Sequence, residues 1–169
     1  MRRFFLIAAL IGTCFITCAA HARAAEPIEK IKAVFLFKFF DYVSWDTPKG
    51  SNKTLCTFGY HPFERDLEFI AKMRQQDTIN VMKIDSLTDA KKCNVLYIHD
   101  IDNKADLAGI PATANALIVS SEKRALQHGG MIVMEEKSGR VQLSINLKAA
   151  ESKKLKISSR LLQISNVIR

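Results

Sequence analysis

Two short stretches, Val95-Leu96-Tyr97-Ile98 and Ala116-Leu117-Ile118-Val119, are apolar almost without interruption. A strand with one face in water alternates apolar and polar positions; an unbroken apolar run of this length belongs to a strand covered on both faces. Further strand-like runs are Thr54 to Gly59 and Ile79 to Ile84, with Asn94 to His99 and Asn115 to Ser120 framing the two apolar cores. Helical stretches separate them. Glu26 to Trp45 repeats apolar residues at three- and four-residue steps, and its apolar share is so high that more than one face must be covered. Thr47-Pro48-Lys49-Gly50 ends it. Phe63 to Gln75 is a second helix with Leu67, Ile70, Ala71 and Arg74 in step. Ser86 to Ala90 is a short turn or helix, Asp102 to Leu107 a short helix, and Ser121 to Gln127 another. Covered strands alternating with helices predict an α/β domain with a mostly parallel or mixed sheet and helices on both faces.

The C-terminal part changes style. Met131-Ile132-Val133-Met134 and Val141-Gln142-Leu143-Ser144-Ile145 flank Glu135 to Arg140, which predicts an antiparallel hairpin. Gly129-Gly130 before it is a turn. It is not a phosphate loop, because no helix follows directly and no Lys-Ser/Thr signature is present. Helices follow the hairpin: Leu147 to Ser152, capped by Asn146, and Ser158 to Val167, with Ser158 as N-cap. In the last one Leu161, Leu162, Ile164 and Ile168 form a stripe expected to pack on the sheet.

The N-terminus has the layout of a secretory signal peptide. Met1-Arg2-Arg3 is basic, Phe4 to Ala20 is uncharged, and the small-x-small signals Ala20-His21-Ala22 and Ala22-Arg23-Ala24 follow at once. Residues 1–24 are therefore read as a leader and 25–169 as a single domain in the periplasm. Cleavage removes Arg2, Arg3 and Arg23 and no acid. Lys+Arg falls from 25 to 22 against 17 acids, and the net charge from +8 to +5. This modest excess, on an exported chain, argues against a nucleic-acid partner. Its densest part is Lys153, Lys154, Lys156 and Arg160, a candidate face for an acidic protein or anionic lipid head groups, although a solvated face is the plainer reading.

Cleavage also removes Cys14 and Cys18 and leaves Cys56 and Cys93. Outside the cytoplasm such a pair oxidises. Both lie at edges of strand-like runs, and neighbouring strands bring them within bonding distance. The bond closes a loop of 38 residues, for which the chain-entropy account gives about 3–4 kcal/mol. A thiol nucleophile needs a base and an orienting partner. His61 is near Cys56 in sequence but falls in a His-Pro turn, where Pro62 is expected to start a helix. A structural disulfide is the better reading.

Little else points to chemistry. His61, His99 and His128 share no ligand spacing, so neither a metal nor a cofactor is expected, and no enzymatic activity. His99, Asp100 and Asp102 cluster at the C-terminal end of a strand, where α/β folds place ligands, although a solvated loop explains them as well. The aromatics of the first helix, Phe35, Phe37, Phe39, Phe40, Tyr42 and Trp45, are read first as core; because they ring the helix, an exposed oligomer or partner patch among them is the second reading.

Lys32-Ala33-Val34-Phe35-Leu36-Phe37-Lys38-Phe39 with Val43-Ser44-Trp45 resembles the opening motif of the YfiR family. Gly129-Gly130-Met131-Ile132, Val141 to Leu147, Ala150 and Leu155 to Leu162 resemble its closing motif. The resemblance implies a periplasmic α/β regulator that binds the periplasmic region of an inner-membrane diguanylate cyclase and holds it inactive, with an OmpA-like outer-membrane lipoprotein as the sequestering partner. Cyclic di-GMP and biofilm formation are then the outputs. It also implies a homodimer and two disulfides. Cys56 and Cys93 match one; the segment 131–146, where the second would fall, has no cysteine. The alternative is a periplasmic small-ligand-binding domain that feeds a membrane sensor such as a histidine kinase.

Overall fold

A computed structural model describes residues 28–46, 52–74, 79–99 and 107–168. The leader expected over residues 1–24, and nearly all of the short helix expected over Asp102 to Leu107, lie outside them. No helix among the described residues is long and apolar enough to cross a membrane.

Helix α1 (Ile28–Tyr42) is followed by the two-residue strand β1 (Val43–Ser44). Then come β2 (Lys53–Phe58), α2 (Glu64–Met73) and β3 (Ile79–Ile84). A 3-10 helix (Leu87–Lys92) leads into β4 (Val95–Ile98) and β5 (Leu117–Ser120). After α3 (Ala125–His128) the chain forms β6 (Ile132–Lys137) and β7 (Arg140–Asn146). It closes with α4 (Leu147–Ser152), β8 (Lys156–Ile157), α5 (Ser159–Gln163) and β9 (Ser165–Ile168).

Seven strands form one sheet in the order β3-β2-β4-β5-β6-β7-β9. β3, β2, β4, β5 and β6 run parallel; β7 is antiparallel to β6, and β9 is parallel to β7. The two apolar runs are the adjacent central strands β4 and β5, buried at every position. Edge strand β3 exposes Asn80 and Lys83, as an edge that has to stay unpaired requires. The hairpin turns in two residues, Ser138 and Gly139, both at positive φ, so that Lys137 faces Arg140. Such turns match the right-handed twist of the flanking strands.

Gly129-Gly130 has a local cause. Gly129 closes α3 at φ +113, where a side chain is strained, and a Cβ on Gly130 would come within 2.9 Å of Ala125 O. The opening motif has one too. α1 packs on β4 and β7 with α2 alongside. Phe37, Phe39 and Phe40 are therefore buried, and Phe35, Tyr42 and Trp45 are half-buried. The core reading of the α1 aromatics holds, and the alternative of an exposed patch does not, because three elements share the helix's apolar sides. Trp45 stacks against Phe40 at 5.6 Å and donates its indole N–H to Asn94 O at 3.2 Å. Asn94 O also accepts from Leu117, and the Asn94 side chain accepts from the Thr54 N–H. One residue thus ties α1, β2 and β5 to the start of β4.

Three helix ends differ clearly from the sequence reading, one of them the start of α3, which begins at Ala125 and not at Ser121. α1 stops at Tyr42, because Val43 and Ser44 leave it to pair antiparallel with β8. The C-terminal helix stops at Gln163, not Val167. Ser158 does cap it, accepting from the Leu161 N–H. Beyond it, residues 165–168 pair with β7, Leu143 facing Ser165 and Asn146 facing Ile168. A ladder of four residues outweighs one more helical turn that would have left Ile164 and Ile168 with no surface to cover. Leu161 is buried and Leu162 half-buried, but Ile164 is 67% exposed and Ile168 40%. The expected packed stripe is reduced to its first two residues.

Candidate functional site

Cys56 and Cys93 form a disulfide with their Cα atoms 5.7 Å apart. Cys56 lies within β2, and Cys93 ends the 3-10 helix just before β4. Both sulfur-bearing residues are buried. The bond staples neighbouring strands.

From β2 the chain crosses to β3 on one side and then returns to β4 on the other. Connections leaving the C-terminal ends of β2 and β4 therefore diverge, which in open α/β sheets makes a crevice. Tyr60 and His61 follow β2, His99 follows β4, and Ser120 and Ser121 end β5. Tyr97 Oη lies 2.8 Å from Ser121 Oγ and 3.2 Å from His99 Nδ1. Ser120 Oγ donates to His99 O and accepts from the Glu122 N–H. Tyr60 stands edge-on to His99 with the ring centres 6.3 Å apart. This network binds three strand tips to one another.

His61 differs from its neighbours. It is 8% exposed and lies against Phe63 and Tyr97 at 4.9 and 6.3 Å. Among the described residues its Nδ1 has no hydrogen-bond partner. Burial lowers its pKa below 6.5; Glu64 opposes the shift, and Lys83 and His99 reinforce it. Pro62 stays in the turn and α2 begins at Glu64, so the imidazole is held inside the apolar cluster, not on the helix. Of the His99, Asp100 and Asp102 cluster read from the sequence, only His99 is among the described residues. In those residues no group of three or more His, Cys, Asp or Glu side chains is placed to share a metal ion.

The basic segment is divided by α4. On one side of this helix Lys153 lies at a groove of about 550 Å³ whose deepest residues are Ile118 and Met131. On the other side Lys154 and Lys156 line a groove of about 600 Å³ together with Trp45 and Glu151. Lys154, at φ +59, turns the chain between α4 and β8. Arg160 is exposed on α5 and lines neither groove. Sequence reading grouped the four cations but missed both grooves. Each groove is built from segments far apart in the chain, and no local pattern marks them.

The described residues thus form an open α/β sheet with grooves beside α4. The particular family follows from the sequence. A profile of the YfiR/HmsC-like family matches residues 29–166, and the chain belongs to that family, one of regulatory domains. No curated protein matches it in sequence. Among solved structures, a conserved domain protein of Vibrio cholerae O1 biovar El Tor superposes with a TM-score of 0.55 at 15% identity over 85% of this chain. The chain spans 60% of that protein's length. The ABC domain in complex with L-Trp from Streptococcus pneumonia superposes with a TM-score of 0.47 at 13% identity, over 79% of this chain and 59% of its own.

Proposed function

We propose that the chain is a periplasmic regulatory binding protein that restrains an inner-membrane signalling enzyme, a diguanylate cyclase, by contact with its periplasmic region. The observation that carries this reading is the YfiR/HmsC-like match over residues 29–166. The Cys56–Cys93 disulfide supports the oxidising compartment. A repressor of this kind binds one conformation of its target more tightly than the other. A tenfold preference corresponds to about 1.4 kcal/mol and gives partial control. Moving a target from almost fully active to almost fully inactive takes about 5.5 kcal/mol, which requires an interface of ordinary protein–protein size. Lys154, Lys156 and Arg160 are proposed as the basic rim of that surface, where charge speeds encounter at a membrane face. An OmpA-like outer-membrane lipoprotein that sequesters the chain, and a homodimer, complete the proposed system.

Deleting the gene is expected to raise cellular cyclic di-GMP and surface attachment. Re-expression with residues 1–24 restores repression, and re-expression without them does not. Unchanged cyclic di-GMP in the deletion strain across several growth conditions would refute the reading.

A further inference from the structure

The groove beside Lys153 has features that the regulatory reading does not use. Its lining is aliphatic: Leu107 and Ile110 come from the turn before β5, Ile118 from β5, Met131 from the start of β6, and Ala149 from α4. Small residues open it. Gly129 has no side chain to fill the mouth, and even a Cβ there would press on Leu107 Cδ1 at 3.2 Å. A volume near 550 Å³ falls within the range of small-molecule sites, which combine an apolar lining with a few polar groups.

Three polar side chains share the lining: Lys153, His128 and Ser152. Lys153, the residue that ends α4, donates from Nζ to Ala112 O at 2.8 Å. That contact fixes the ammonium of a groove-lining residue and uses one of its three donors. Among the described residues no acid pairs with it. The His128 imidazole lines the same groove. Ser152, next to Lys153, has its hydroxyl committed to Ala149 O at 2.7 Å. An aliphatic groove lined by a fixed cation that no acid among the described residues pairs with suits one kind of molecule: an anionic head and an aliphatic body.

We propose that this groove is a binding site for a medium-chain aliphatic carboxylate, its alkyl chain on Ile118 and Met131 and its carboxylate on the Lys153 ammonium beside His128. Among the described residues the lining is aliphatic apart from Lys153, Ser152 and one imidazole ring, which favours an alkyl over an aromatic body. This site stands whether or not the chain restrains a cyclase.

The test uses the exported mature protein, with octanoate as probe, octanol as the uncharged comparator and phenylacetate as the aromatic one. Titrations are followed by amide NMR shifts. Octanoate is expected to bind saturably, with shifts centred on Ile110, Ile118, Met131 and Ala149, and to bind roughly tenfold tighter than octanol, the scale of one charge-assisted hydrogen bond. Lys153→Gln, a change at the surface, removes that difference and leaves octanol unchanged. Ala108→Trp, placed at an exposed lining position, blocks both; unchanged circular dichroism checks that each variant is folded. The proposal is overturned if octanoate does not saturate, if its shifts map elsewhere, if Lys153→Gln leaves the octanoate preference intact, or if phenylacetate binds more tightly than octanoate.

Discussion

At the tips of β2, β4 and β5 the polar side chains answer one another. The Tyr97 hydroxyl meets both His99 and Ser121, and Ser120 bridges His99 O and the Glu122 N–H. Beside α4, among the described residues, the cations have no such partners. Lys153 reaches only a main-chain carbonyl, and Lys154 and Lys156 stand exposed around a second groove. Polar groups that satisfy one another in a low-dielectric setting hold a shape; unpaired cations at the edge of apolar grooves are available to something else. The position that strand topology marks as a crevice is thus the rigid one here. The open surface lies where the C-terminal helices fold back on the sheet.

Truncating the two regions should separate them most widely. Tyr97 is fully buried and packs on Phe63 with ring centres 4.8 Å apart. Tyr97→Ala is expected to destabilise by about 3–5 kcal/mol, as removal of a large core ring does. Lys153→Gln should change stability by less than about 0.5 kcal/mol. Urea denaturation of both variants checks this. Comparable losses in the two would erase the distinction between a structural cluster and an open groove.

Removing the staple comes next. Cys56→Ala with Cys93→Ala is expected to lower stability by about 3–4 kcal/mol, since the bond restricts a loop of this length in the unfolded chain. Both residues are buried, so reductant should act only on molecules that have opened. Thiol-trapping mass spectrometry of the native exported protein should find no alkylated cysteine, and two alkylatable thiols without reductant would remove the bond from the account.

His61 sharpens the comparison through pH. Its folded-state pKa lies below the unfolded value of 6.5 because burial disfavours the cation. The unfolded chain therefore takes up a proton more readily than the folded one. The stability contributed by neutral His61 is fully present above pH 6.5, and it falls as pH drops from there toward the lowered folded value. His61→Leu removes the unpartnered Nδ1 and should flatten this dependence. At neutral pH its own effect should stay within about 1 kcal/mol, the lost polar burden offsetting the change of shape. Melting curves between pH 5 and 8 decide it; a wild-type slope that survives in His61→Leu would assign the titration to another group.

Much of this architecture was legible in the chain. β3 and α4 begin and end where periodicity places them, β4 and β5 declare their burial in unbroken apolar runs, and the cysteine count pointed to the pair that bonds. The tail was not legible. Leu161, Leu162, Ile164 and Ile168 fit helical steps, and only the presence of β7 alongside turns residues 165–168 into a strand. The aromatic ring around α1 was legible as core, although sequence shows only that a helix is apolar on several sides and not how many neighbours it will have. Nor did His61 announce itself: a His-Pro pair looks like a surface turn until Phe63 and Tyr97 close over it.

A small effect is expected at Lys154, and it separates charge from backbone. Its φ of +59 is a left-handed conformation that costs a side-chain-bearing residue about 1 kcal/mol. Glycine adopts it freely but gives up more entropy on folding. Lys154→Gly should therefore change stability by no more than about 1 kcal/mol, with the balance toward gain. The same substitution deletes a cation from the proposed partner rim. A stability loss with weakened repression would say that the side chain holds the α4–β8 turn together. A neutral or improved melting temperature with a rise in cellular cyclic di-GMP would place the ammonium in the partner contact, because the turn itself would be intact. If stability is unchanged and cyclic di-GMP does not move, even when Lys156→Gln and Arg160→Gln are added, the rim is a solvated face and the partner docks elsewhere on the domain.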